Sequence, residues 1–127
     1  MIYTSYFGKL SSLPKDIIPI SICAKPPEWY NGLQYKKLAP TYDILMKYRK
    51  DGDKEAYTKS FKSRVLGKFV NASEAVFDLG KLADKDNNYY SFDICLLCYE
   101  KPSDFCHRHL VAEWLRQHGY ECKEWTK

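Results

Sequence analysis

Several signatures that would settle a function at sight are missing from these 127 residues. There is no GxxxxGK[ST] phosphate loop, no GxGxxG dinucleotide fingerprint and no GxSxG nucleophile elbow. The Cys-x5-Arg loop of cysteine phosphatases is missing too: Arg108 follows Cys106 too closely, and Asp104 occupies the place an arginine would need after Cys98. No apolar run approaches the roughly 20 residues of a membrane span. Met1-Ile2-Tyr3-Thr4 does not begin a basic-then-apolar secretory leader, so a cytoplasmic protein with no membrane association is expected. Internal repeats, low-complexity tracts and Gly- or Pro-rich linkers are absent, which points to a single domain over residues 1–127.

Strong charge bias is lacking as well. Twenty Lys and Arg stand against 16 Asp and Glu, a formal net charge of +4 with pI near 8.7. Dedicated nucleic-acid binders more often exceed pI 9 with clustered charge. Here the cations are scattered (Lys36, Lys37, Lys47, Arg49, Lys50, Lys59, Lys62, Arg64 and Lys68), the pattern of solvated helix faces with weak attraction for anions. What the chain does have is apolar material, 45% of residues with 16% aromatic. A chain this long buries roughly two thirds of its unfolded surface, so it needs no disulfide or metal for stability. Five cysteines, an odd number outside any secretory context, read as free thiols in a reducing compartment.

The order of elements gives the fold class. Ile2 to Phe7 is β-branched and aromatic and is closed by Gly8; Ile17 to Cys23 reads as a second strand with Pro19 near its start. The Lys25-Pro26-Pro27-Glu28-Trp29-Tyr30-Asn31-Gly32 stretch is a loop. Helical spacing then begins at Thr41, with Tyr42, Leu45, Met46 and Arg49 on one stripe up to Asp51-Gly52-Asp53. Lys54–Leu66 makes a second helix, and a third starts at Asn71 with Glu74 in a variant capping box. After a polar turn at Asp84–Asn88, Phe92–Tyr99 is nearly continuously apolar, as befits a strand covered on both faces. A last helix is expected from Ser103 or Asp104 to His118, and a short strand within Tyr120–Trp125. Strands interleaved with helices predict an α/β domain with a mainly parallel sheet of about four strands.

The chemistry concentrates where the apolar strand meets the last helix. Glu100, Cys106, His107, Arg108 and His109 lie within ten positions there, and crevices at the carboxyl ends of strands are the usual ligand sites of such folds. Cys95-x-x-Cys98 followed by Cys106 and His107 imitates a zinc set. Residues three apart in a strand point to opposite faces, however, so Cys95 and Cys98 should diverge, and no metal or other cofactor is expected. With Ser103 or Asp104 as cap, Cys106 falls in the first helical turn, where unpaired N–H groups and Arg108 favour the thiolate. That makes Cys106 a candidate nucleophile, with His107 and Glu100 as proton carriers. Arg108 is a candidate anion binder, or else a salt-bridge partner of Glu100, Asp104 or Glu113. Only one of His107 and His109 should reach the cleft, since they face about 200° apart on a helix.

Leu96-Leu97-Cys98-Tyr99-Glu100-Lys101-Pro102, then Cys106-His107-Arg108, then Leu110 and Ala112-Glu113, resembles the signature of the DUF488 family of small bacterial, archaeal and phage proteins. Tyr3-Thr4-Ser5-Tyr6-Phe7 is similar to the family's first strand, so the likeness spans the chain. It implies a compact α/β domain with Glu100, Cys106, His107 and Arg108 as the family-type positions, and it implies no particular reaction. Many relatives carry Asp-x-Arg at the end of the second strand, where this chain has Ser21-Ile22-Cys23.

The expected function is therefore binding of, or action on, a nucleotide, nucleic-acid component or other anionic ligand at residues 99–109. The junction of Glu100, Cys106, His107 and Arg108 would hold the anion, aromatics such as Tyr6, Trp29 and Tyr30 could stack on a base, and Tyr99 and His109 are further ligand-binding candidates. A non-catalytic nucleic-acid- or protein-binding regulatory module is the alternative, and a thiol redox sensor at Cys106 a third.

Overall fold

The apolar run at Ile94–Cys98 stands at the centre of the sheet, as a strand covered on both faces must. In the computed structural model, which describes residues 1–87 (side chains to 84), 93–100 and 105–126, strand β4 (Asp93–Cys98) lies between β1 (Ile2–Tyr6) and β2 (Ile17–Ser21). It is parallel to both, with Tyr6 opposite Cys98 on one side and Ser21 opposite Leu97 on the other. β5 (Cys122–Glu124) adds beside β1, and β3 (Leu33–Gln34) beside β2. The order is β3-β2-β4-β1-β5, five strands and all parallel. That is one strand more than the sequence suggests, because β3 has only two residues and no apolar run. Pro19 is tolerated inside β2 because β3 pairs only with Ile20 and Ser21 on that edge.

Helices α1 (Tyr42–Asp51), α2 (Lys54–Arg64) and α3 (Ala72–Asn87) all lie in the connection from β3 to β4, and α4 (His107–Gln117) in the connection from β4 to β5. The junctions follow the expected chemistry. Gly52, at φ +64°, ends α1 in the left-handed region, and the Asp53 side chain accepts from Ala56 N at 3.0 Å to cap α2. Asn71 accepts from Ser73 N while Glu74 accepts from Val70 N, the expected variant capping box. Among the described residues no helix is long and apolar enough to cross a membrane.

One boundary departs from expectation. α4 begins at His107, and Cys106 is its cap residue with extended backbone (φ −155°, ψ 143°) rather than part of the first turn. Ser103 and Asp104 lie outside the described residues. Phe105 decides the matter: its ring packs against Tyr48 and Tyr57 at 5.3 and 5.1 Å, and this tertiary contact overrides the local capping signal.

The topology positions a crevice. β2 continues toward β3 at one edge, and β4 continues toward β5 at the other. Chains leaving adjacent strands in opposite directions open a gap at their carboxyl ends.

Candidate functional site

The gap between the ends of β2 and β4 is a real cavity of about 140 Å³. Cys23 and Lys25 reach it from the end of β2, and Tyr99 and Glu100 from the end of β4. Arg49 and Tyr48 enter from α1, Tyr57 from α2, and His107 from the start of α4. Ile22 N donates to Leu97 O at 3.0 Å, so the two strands stay paired right up to the cavity floor.

His107 organises that floor. Its Nε2 lies 2.7 Å from Ile22 O, and a carbonyl can only accept, so Nε2 carries a proton. Nδ1 is left facing Cys106 Sγ at 3.9 Å, while Cys98 Sγ lies against the ring at 3.5 and 3.7 Å from its two nitrogens. Burial disfavours the imidazolium, but the hydrogen bond to Cys106 and the charge of its thiolate outweigh this and raise the His107 pKa. The Cys106 thiol is lowered to about 3, first by the hydrogen bond from Cys98 and then, against burial, by His107. Burial pushes Cys98 well up, so it stays a thiol and donates. Cys23 is also lowered by a bond from Cys98. Cys98 has one S–H, however, and cannot serve both neighbours at once. We place the anion on Cys106, which alone of the two has a direct hydrogen bond to His107. Glu100 is an exposed residue whose carboxyl is nonetheless raised, by partial desolvation first and then by the Cys106 charge, so it keeps its proton to higher pH than a free carboxyl. Tyr57 is raised by burial and stays a hydroxyl donor.

Arg108 has a different place from the one its sequence position suggests. It is fully buried, with Nε and Nη2 on the Glu124 carboxylate at 3.2 and 2.9 Å and Nη1 on Glu100 O at 2.6 Å. Among the described residues its ion-pair partner is thus Glu124 of β5 rather than Glu100 or Glu113, and Asp104 lies outside the described residues. Thr4 Oγ1 donates to the same carboxylate at 2.7 Å. Tyr6 lies on this side too, its ring 6.0 Å from the guanidinium carbon, and it does not line the cavity. The geometry therefore makes Arg108 a positioning residue that ties the Glu100 backbone to α4 and β5.

Of the remaining candidates, Tyr99 is half exposed at the cavity rim, edge-on to Phe7 at 5.4 Å. Trp29 also packs edge-on to Phe7, at 6.1 Å, and is exposed, outside the cavity lining. His109 does not line the cavity; its Nε2 is buried and has no hydrogen-bond partner among the described residues. Sequence reasoning did not single out Cys23, Tyr48, Tyr57 or Arg49 as site residues. Only Cys23 carried a visible signal, a thiol at a strand's carboxyl end.

The sulfurs of Cys98 and Cys106 and a ring nitrogen of His107 all lie within 4.8 Å of one another, a set that could hold a soft divalent ion. Cys95 is indeed directed elsewhere: after burial, its thiol feels Glu124, Arg108 and Cys122. Cys98 Sγ is 3.5 Å from Nε2 and 3.7 Å from Nδ1. Nearly equal distances put it against the ring between the nitrogens, not beside the lone pair of Nδ1 through which a metal would be bound. The donor set suits a thiolate–imidazolium pair better than a tetrahedral centre.

The family model described as "DUF488-N3a: Active DUF488-N3 subclade" matches residues 11–119, and the chain belongs to that family. No curated protein and no solved structure matches it.

Proposed function

We propose that this DUF488-family domain acts on an anionic ligand, a nucleotide or nucleic-acid component, held in the cavity between the ends of β2 and β4. The observation that carries the reading is the joining of unlike parts around one cleft: His107 in its lining with the buried Cys106 thiolate against the ring, the Glu100 carboxyl, and two cations. Lys25 and Arg49 line the cavity and have no ion pair among the described residues. Tyr48, Tyr99 and Phe105 offer ring faces or edges for a base. Cys106, which is buried and does not itself line the cavity, is the nucleophile of this reading: its sulfur bonds to the ligand's electrophilic atom as the bond from that atom to the leaving group breaks, His107 stabilises the thiolate beforehand, and Glu100 gives the leaving group its proton. Arg108 and Glu124 hold this arrangement without touching the ligand.

The test is thermal stabilisation by a panel of nucleotides, nucleosides and inorganic phosphate. A nucleotide should raise the melting temperature of the wild type and fail to do so for Lys25→Ala/Arg49→Ala. Cys106→Ser should keep that binding and lose turnover of the bound compound. If no member of the panel stabilises the wild type, the reading fails.

The thiol redox sensor is a second reading, favoured by one observation: Cys98 and Cys106 sulfurs lie within 4.8 Å of each other. Formation of a Cys98–Cys106 disulfide under mild peroxide, with nucleotides inert, would select it over the first.

A further inference from the structure

The cleft has a neighbour. On the far side of the segment Ala39-Pro40-Thr41 lies a second hollow of about 300 Å³, lined among others by Lys36, Lys37, Arg64, Lys68 and Phe69. Pro40 lines the cleft while Ala39 and Thr41 line the hollow, so one short stretch of chain is the wall between them.

The charges in the two concavities fall into two groups. Arg64 is held by Asp43 at 2.6 Å, and Lys37 by Glu74 at 3.5 Å and Asp78 at 4.0 Å. Those cations are occupied. Lys36 and Lys68 in the hollow, like Lys25 and Arg49 in the cleft, have no ion pair among the described residues. The hollow's lining acid, Glu74, is committed to Lys37 and to the Val70 N–H. Two adjoining concavities thus present four cations that have no ion pair among the described residues, more than the single phosphate group of a nucleoside monophosphate would use. A repeating anion that starts in the cleft and crosses the 39–41 wall would meet them in turn. The cleft, about 140 Å³, is smaller than an ordinary ligand pocket of about 300 Å³ or more, so it takes part of one nucleotide and excludes a duplex.

Resting on the reading of the cleft given above, we infer that the substrate is a single-stranded nucleic acid, whose reacting nucleotide enters the cleft while flanking phosphates lie along Lys36 and Lys68. Recognition on this side is electrostatic and independent of sequence.

The experiment compares a mononucleotide, a labelled single-stranded 8-mer (DNA and RNA), the same 8-mer as a duplex, and heparin, by anisotropy and competition across a salt series. The variant is Lys36→Glu/Lys68→Glu, both exposed positions outside the cleft. The single strand should bind at least about tenfold tighter than the mononucleotide. Its affinity should fall with salt at a log–log slope of about −3 for four cations on single-stranded nucleic acid. The double variant should roughly halve that slope and weaken the 8-mer about tenfold, with mononucleotide affinity unchanged. An 8-mer no tighter than the mononucleotide overturns the inference and leaves the reading of the cleft standing. So does a duplex or heparin bound as tightly as the single strand, or a variant that weakens both ligands alike. If neither mononucleotide nor oligomer binds, the reading of the cleft falls and the inference with it.

Discussion

Glu124→Gln is the sharpest probe of how the site is held. Arg108 has no exposed surface, and two of its three guanidinium hydrogen bonds among the described residues end on the Glu124 carboxylate, which is itself largely buried. The substitution preserves size and one acceptor oxygen but removes the counter-charge, leaving a guanidinium in the interior with, among the described residues, the Glu100 carbonyl and a neutral amide. Breaking a buried pair from one side costs about 3–5 kcal/mol, because the remaining charge is uncompensated. In a domain of this size about 4 °C of melting temperature goes with each kcal/mol, so the midpoint should fall by about 12–20 °C. Urea unfolding gives the same quantity independently, with the m-value unchanged if only the native state is affected. Arg108→Met combined with Glu124→Gln removes both charges and should recover most of the loss. A Glu124→Gln protein within about 1 kcal/mol of wild type would refute the argument that this pair anchors the helix.

Three other outcomes are expected. Alkylation of Cys106 by iodoacetamide, followed by peptide mapping, should be nearly flat between pH 6 and 9, because its thiolate is already formed; an ordinary thiol gains about tenfold per pH unit below about 8.5. His107→Ala should restore that ordinary rise, and a rising wild-type curve would contradict the thiolate assignment. Gly52→Ala places a Cβ at φ +64° and should cost about 1 kcal/mol in urea unfolding even though nothing surrounds the position; an unchanged midpoint would be inconsistent with the left-handed cap. Protein purified without chelator should carry no stoichiometric metal by elemental analysis, and a tightly held zinc that protects Cys98 and Cys106 from alkylation would reverse our reading of the thiol geometry.

What was legible in the sequence, and what was not, follows from the range of the forces involved. The apolar run at Ile94–Cys98 identified the central strand because a strand covered on both faces has no polar alternation to show. Asn71 and Glu74 marked the start of α3 because a capping box is local. The start of α4 was misplaced because Phe105 answers to Tyr48 and Tyr57, residues brought near only by the packing of α1 and α2. The partner of Arg108 was missed for the same reason. Glu124 comes beside Thr4 only through the parallel register of β5 on β1, and no spacing in the chain encodes that. Likewise Cys23 and His107 share a cleft because β2 and β4 are neighbours, although a whole set of helices separates them in sequence.

Cys106, His107 and Arg108 are best understood as one device, because successive residues at a helix start project about 100° apart. His107 turns toward β2 and is fixed by the Ile22 carbonyl; Arg108 turns toward β5 and is fixed by Glu124. The first turn of α4 is therefore pinned on both sides of β4, and the extended Cys106 that precedes it has little freedom to leave Cys98 and His107. If this is how the thiolate is positioned, Arg108 should govern Cys106 without touching it. Arg108→Lys keeps the charge and loses the planar fork that grips Glu124 and Glu100 together. The variant should remain folded at reduced stability, as read by far-UV circular dichroism and urea midpoint. Its Cys106 alkylation should nevertheless regain a dependence on pH, since the His107 contact loosens when one of the two pins is lost. A stable variant with the flat wild-type profile would show that the Ile22–His107 bond suffices alone and that Arg108 serves only the fold.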